Sequence, residues 1–367
     1  MIGRPPSPCL RLQRTASAAI GQTAAVIADE LRARLSDAIG HEVDYAEPPV
    51  RLGGGFYTAN YRFSLQEPSS QWSAPMVLRL FPTHAPDHLD AWEAAVQTFV
   101  HERDVPAPAV VLREPGSTIE GRRWFVMELL PGSPAMEGVG ARQLVGGVRR
   151  LFRDMPRQTV GIQLALHRLD PTPLVDAFGD LATVERWWVN MASTADDPAA
   201  RFLQPGIEWL MGNVPEPRSS LVLCHGDSWG GNLLVEDGVV TGLIDWSVAT
   251  VAEPALELAF FTTALTLAPV AMPRPIQRVV QRLGRRLAVA YRSVYESQSD
   301  VDLTSVPYYE AVRCLLELNG VVRYRTTVAQ GLTYDSPRPT WDGIADQMVA
   351  YFEQRTGVRL ALPAPTG

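Results

Sequence analysis

Residues 221–246, LVLCHGDSWGGNLLVEDGVVTGLIDW, constrain this chain more than any other stretch of it. The segment LVLC has the character of a buried strand that runs into a polar loop, and NLLVEDGVVTGLIDW holds two further short strands separated by a turn at Asp237-Gly238. Three oxygen-bearing side chains, Asp227, Asn232 and Asp245, therefore fall at the tips of apolar strands. That placement points to chemistry that uses oxygen ligands.

The flanking sequence has two characters. A helical pattern over 23–40 carries Val26, Ile27, Leu31, Leu35 and Ile39 and stops at Gly40. Residues 50–65 form a hairpin pattern with a glycine tip, PMVLRLF (75–81) a third strand, and 86–105 a helix; PAVVLRE and RRWFVMELLPG supply two more strands. Residues 138–214 and 253–356 are mainly helical patterns, with no internal repeat or heptad run. At 367 residues the chain exceeds one small core. The order predicts an α+β, two-lobed architecture: a small β-rich N-terminal lobe, a larger mainly helical C-terminal lobe, and a cleft near residue 130. Residues 1–20 are expected to be a loose tail, 21–130 the first lobe and 131–367 the second.

Composition narrows the function classes. A chain 46% hydrophobic and 20% charged is soluble and globular in type. A net charge of −7 argues against non-specific nucleic-acid binding. The longest apolar stretch, 258–272, falls short of the ~20 residues that span a bilayer and is expected to be a buried helix. Cys9, Cys224 and Cys314 have no metal-ligand spacing, which argues against a disulfide framework or zinc and for a reduced, cytoplasmic protein. All 33 basic residues are arginine, so any task usually given to lysine falls to arginine.

Phosphoryl transfer from a nucleotide needs Mg²⁺ on the phosphates, an amide or carboxylate to hold Mg²⁺, and a carboxylate to orient the attacking hydroxyl. Asn232 and Asp245 have the donor atoms for the metal, and Asp227 can accept the proton. The pattern H-G-D-x-x-x-x-N followed by I-D-W resembles the aminoglycoside phosphotransferase family, whose relatives include choline, homoserine and fructosamine kinases. The resemblance implies a protein-kinase-like fold, ATP and Mg²⁺ as cofactors, Asp227 as catalytic base, and Asn232 and Asp245 as metal ligands. Beside these roles stand plainer ones: Asp and Asn also cap and close turns. His225 is expected to organise the loop and Cys224 to pack, while Trp229 and Trp246 either line a cleft or fill core.

The first lobe offers matching parts. Gly53, Gly54 and Gly55 sit where such a fold keeps a flexible loop over the phosphates, although a hairpin turn uses glycine equally well. Arg79, flanked by apolar residues, needs an anionic partner, and Glu93 on the next helix is available. The resemblance gives Arg79 the phosphate-anchoring role usually held by lysine. It also makes the backbone from Glu128 to Leu130 an adenine-binding hinge, with the Glu128 side chain solvated. His167 is expected to be a packing residue.

Only six residues lie between Trp246 and Glu253, too few for a polypeptide-docking segment, so the expected partner is a small-molecule hydroxyl acceptor. Where the family has G-D-P-x-x-D-L-A, this chain has longer acids, Glu253 and Glu257. Asp335 and Asp342 are candidates for the acceptor pocket. The expected activity is ATP- and Mg²⁺-dependent transfer of the γ-phosphate to a sugar, amino alcohol, hydroxyacyl metabolite or aminoglycoside, with no nucleic-acid or membrane partner. A nucleotide-binding pseudokinase or scaffold module of the same fold is the alternative, and a metal-dependent hydrolase using the same acids a more distant one.

Overall fold

The computed structural model describes residues 8–53, 58–67, 72–136, 150–194, 198–216, 219–269, 273–329 and 343–363. Side chains are described within these ranges except at 8–23, 150, 189, 190, 192–194, 274 and 327–329. The chain divides into two compact units, Met1–Ala94 with Ala109–Leu129, and Ala95–Pro108 with Leu130–Gly367.

In the first unit, helix α1 (Pro8–Ile39) leads into strands β1 (Tyr45–Arg51), β2 (Ala59–Leu65) and β3 (Met76–Leu80). Helix α2 (Leu89–His101) then begins in this unit, and β4 (Val110–Leu112) and β5 (Trp124–Glu128) complete an antiparallel sheet of order β1-β2-β3-β5-β4. Strand β2 alternates as a half-buried strand should, with Ala59, Tyr61, Phe63 and Leu65 inward. Strand β3 is central, paired on both edges, and buried at every position, which carries Arg79 into the interior. Ile27, Leu31 and Leu35 of α1, four apart on one helix face, close the core against Phe63, Leu78 and Trp124. Val26 lies off that face and is 40% exposed. Gly40, at φ 89°, ends α1 with its N–H on the Ser36 carbonyl at 2.9 Å. The helix begins well before residue 23, so the described part of the expected tail belongs to it.

The second unit is mainly helical: α3 (Met155–His167), α4 (Thr172–Phe178), α5 (Glu185–Thr194), α6 (Gln204–Gly212), α7 (Pro254–Leu267), α8 (Arg274–Gln298), α9 (Val306–Ala329) and α10 (Ala345–Thr356). Its core gathers Trp187, Phe260, Tyr291, Leu315, Met348 and Phe352. Of the long apolar run 258–272, residues 258–267 are the body of α7 and are mostly buried; the helix stops there, with Ala268 at φ 45°, and 270–272 lie outside the described residues. No described helix is long and apolar enough to cross a membrane. Two small sheets interrupt the helices: β6 (Ser133–Pro134) with β8 (Leu233–Glu236) and β9 (Val239–Leu243), and β7 (Val222–Cys224) with β10 (Thr250–Ala252). The β8–β9 hairpin turns on Asp237 (φ 50°) and Gly238 (φ 82°), the paired positive φ values of a two-residue type I′ turn.

Candidate active site

Strand β7 feeds directly into His225-Gly226-Asp227. The chain must reverse there, and Gly226 does so at φ 75°; a Cβ at this position would come within 3.1 Å of the Val248 carbonyl oxygen. The His225 ring is buried against Trp246, 4.6 Å between centroids. Its Nδ1 accepts the Asp227 N–H at 3.2 Å while Nε2 lies 3.1 Å from the Ile244 carbonyl, so the ring proton belongs on Nε2. Burial pushes its pKa down to about 4, which keeps the ring neutral. His225 is thus a strut between the loop and the strand leading to Asp245. Trp246 is fully buried core, and Trp229 is 39% exposed.

Asp227 and Asn232 meet directly. The Asn232 amide donates to the Asp227 carbonyl at 2.8 Å and to its Oδ2 at 2.9 Å. A residue distant in sequence joins them: Arg313 of α9 reaches Asp227 Oδ1 at 3.4 Å and the Gly226 carbonyl at 3.3 Å. Its own position is fixed by Glu317 at 2.8 Å and by the Phe260 ring, 5.0 Å from the guanidinium carbon. Burial pushes the Asp227 carboxyl up to about 7, against the pull of Arg313 and with added repulsion from Asp245 and Glu317. The side chain still keeps 28% of its surface open, so its ionisation stays in contact with water. A carboxylate in that range is suited to receiving a proton near neutral pH.

Asp245 follows β9 in the left-handed region at φ 67°, a conformation that Asp tolerates better than most residues. Ser247 donates to its Oδ1 at 2.8 Å. With the Asn232 nitrogen committed to Asp227, the amide oxygen is turned the other way, and its donor chemistry together with the Asp245 carboxylate is that of a hard-cation site. The mutual repulsion of Asp227 and Asp245 is of the kind a divalent cation relieves. These residues fit Mg²⁺.

The loop is held from below by Glu257 in the first turn of α7, 1% exposed. Its carboxylate accepts from the Gly226 N–H (3.1 Å), the Ser228 hydroxyl (2.6 Å) and the Gln163 amide (3.2 Å). Burial raises its pKa, and those donors act in the opposite direction. Glu253 precedes α7 and takes the Tyr309 hydroxyl at 3.2 Å. Buried Arg186 donates to the Leu181 carbonyl at 2.9 Å and to those of Val248 and Ala249, fastening the chain after Trp246. Nothing in the sequence near Gln163, Arg186 or Arg313 marks them, because each acts through tertiary contact alone.

His167 is a packing residue, with Nδ1 3.1 Å from the Tyr295 hydroxyl and Nε2 sealed from solvent. Burial lowers its pKa from 6.5 to about 4, so between those values the unfolded chain binds the proton and the folded one does not. The contribution is complete above pH 6.5 and lost as pH falls toward 4, a change of roughly 3 kcal/mol. Thermal melts across this window are expected to show a shallower acid slope for His167→Gln than for the parent.

In the first unit, Arg79 Nη2 lies 2.8 Å from Glu93 Oε1, and both residues are buried, at 3% and 1% exposure. Glu128 pairs its backbone N–H with the Ala109 carbonyl at 2.9 Å. Its side chain is half-buried and accepts the Ala109 N–H at 3.4 Å, where a fully solvated carboxylate was expected. Leu130, in the second unit, packs on Gly242, where a Cβ would sit 2.3 Å from Leu130 Cδ1. Gly53 is exposed and has space for a side chain. Gly54, Gly55, Asp335 and Asp342 lie outside the described residues.

Comparison with known proteins bears on the same segments. A model of the phosphotransferase enzyme family matches residues 50–295. A Ralstonia eutropha JMP134 protein assigned to the aminoglycoside phosphotransferases superposes with a TM-score of 0.57 at 17% identity, covering 88% of this chain and 97% of that one. Aminoglycoside-3'-phosphotransferase of type VIII gives 0.53 at 19% identity, over 79% and 98%. A thermostable mutant of aminoglycoside phosphotransferase APH(4)-Ia, in ternary complex with ADP and hygromycin B, gives 0.50 at 16% identity, over 87% and 98%. At these identities the likeness establishes the fold. Human acyl-CoA dehydrogenase family member 11 is 26% identical over 193 residues, 46% of this chain but 22% of the human protein. With well over half its length matched by the family model, this α+β chain belongs to the phosphotransferase enzyme family.

Proposed function

We propose that the protein is an ATP- and Mg²⁺-dependent phosphotransferase that moves the γ-phosphate to a hydroxyl of a small molecule. The observation that carries this reading is the contact of Asp227 with Asn232 and Arg313 in the loop beneath which Glu257 is anchored. Asp227 orients the acceptor hydroxyl and receives its proton, while Arg313 and the Asn232 amide hold the carboxylate in one orientation. Asn232 and Asp245 would hold Mg²⁺, which would supply neutralisation of phosphate charge. Residues 21–130 would be the nucleotide lobe in this reading, with Arg79, fixed by Glu93, as the phosphate cation and the backbone from Glu128 to Leu130 as the adenine hinge; the run Gly53 to Gly55 is assigned to phosphate binding, of which only Gly53 is among the described residues. Residues 131–367 supply catalysis and acceptor binding, with a cytoplasmic setting where ATP is at hand.

A small acceptor is favoured because β10 pairs with β7 almost at once after Trp246, with Thr250 opposite Cys224. No polypeptide-docking segment intervenes. Sugars, amino alcohols and hydroxyacyl compounds fit this description, as does an aminoglycoside such as the hygromycin B bound by the APH(4)-Ia mutant. An acceptor screen that follows ADP release with Mg²⁺ and ATP tests the reading, and acceptor-dependent release is the expected result.

Arginine in the usual lysine position favours a second reading, a nucleotide-binding pseudokinase or scaffold module; ATP binding with no turnover across that screen would select it. Asp245→Ala is expected to abolish Mg²⁺-dependent nucleotide affinity in calorimetry. Unchanged affinity would remove Asp245 from the metal site.

A further inference from the structure

Helix α8 has a solvent face unlike the rest of the chain. Its sequence holds six arginines, Arg274, Arg278, Arg282, Arg285, Arg286 and Arg292, against one acid, Glu296, a local charge of +5 on a chain of net −7. Arg278, Arg282, Arg285, Arg286 and Arg292 are exposed, and among the described residues only Arg292 of these five has an acidic partner, Glu296 at 2.8 Å. The same helix carries exposed apolar side chains: Ile276 (50%), Val279 (64%), Leu283 (41%) and Val289 (70%). Among the described residues, four of the twelve exposed large hydrophobic side chains thus fall within fourteen residues, a concentration that scattered surface exposure does not produce.

The two sets are ordered. Ile276, Val279 and Leu283 follow at intervals of three and four and make one exposed stripe along the edge of the buried face of Leu287, Gly284, Ala288, Tyr291 and Tyr295. Arg278, Arg282 and Arg286 make the neighbouring stripe, and Arg285 and Val289 lie beyond it, also exposed. A helix with an exposed apolar stripe bordered along its solvent side by arginines suits a surface that is anionic outside and apolar just beneath.

We propose that α8 docks this protein peripherally on an anionic lipid surface, its arginines on the headgroups and Ile276, Val279 and Leu283 at the acyl boundary. A second copy of the same face is disfavoured, because two helices of +5 would repel. The sequence-based expectation of no membrane partner rested on the lack of a spanning segment; a helix lying on the surface needs none.

The test is co-sedimentation of the full chain with phosphatidylserine-containing and pure phosphatidylcholine vesicles. Binding is expected only to the former and is expected to weaken as salt rises. Arg282→Gln with Arg286→Gln is expected to lower partitioning by about fivefold per arginine, the equivalent of ~1 kcal/mol each. Val279→Ser with Leu283→Ser is expected to lower it with the charge unchanged. Melting curves of both variants are compared with the parent, and the surface arginine pair keeps the test open if the serine pair destabilises the helix. Equal binding to both vesicles, no binding, or arginine variants that bind like the parent would overturn the proposal. So would tighter association with an acidic polypeptide than with vesicles, or a dimer in light scattering that the serine pair dissolves.

Discussion

Asp227→Asn is expected to leave the fold and Mg²⁺-dependent nucleotide binding in place and to lower phosphoryl transfer by roughly 10²–10⁴, the range that general-base catalysis supplies. The substitution preserves shape, and the amide oxygen can accept from one of the two donors, Asn232 Nδ2 or the Arg313 guanidinium, that now reach Oδ2 at 2.9 Å and Oδ1 at 3.4 Å; the amide nitrogen, itself a donor, gives up the other contact. What it removes is the basic oxygen. Single-turnover ADP release with an identified acceptor measures the loss, and a thermal shift with Mg²⁺ and ATP checks binding; parental turnover in the variant would eliminate Asp227 as the base.

Arg79→Ala is expected to cost about 3–5 kcal/mol in stability, because it removes the cation beside a carboxylate with almost no access to water. Glu93 is 1% exposed, and Arg79 lies 2.8 Å from it on the central strand β3. Replacing both partners with apolar residues, Arg79→Met with Glu93→Leu, is expected to recover most of that loss, since an ion pair buried this deeply gains little over good packing. Denaturant unfolding measures the stability terms. The recovered double variant then separates architecture from phosphate binding: folded yet without nucleotide affinity is the outcome expected if Arg79 anchors phosphate, whereas retained affinity would confine it to the core.

The strands and turns were legible because their signals are local. Burial alternates along Ala59–Leu65, Asp237-Gly238 supplies a two-residue turn, and a cation within MVLRL has to find an acid, which Glu93 provides. That Asp227 and Asn232 share one loop was legible for the same reason, five residues apart; the hydrogen bond between them was not among the expectations. Arg313 was not. It sits 86 residues from Asp227 on a helix where an arginine looks like any solvated basic residue, and only the packing of α9 turns it inward. Gln163 and Arg186 escaped notice similarly, and the start of α1 was missed because RLQRTASAA lacks the apolar period that marks Ile27, Leu31 and Leu35.

An arginine at position 79 has a practical consequence for anyone seeking this protein in a cell extract. Reagents that report nucleotide sites by acylating a nearby amine require a nucleophilic nitrogen, and a guanidinium stays protonated far above neutral pH. No lysine stands anywhere in the sequence as a substitute. Such profiling would therefore miss this chain even with the nucleotide site proposed for it full, and enrichment on immobilised nucleotide is a detection method that does not depend on that missing amine.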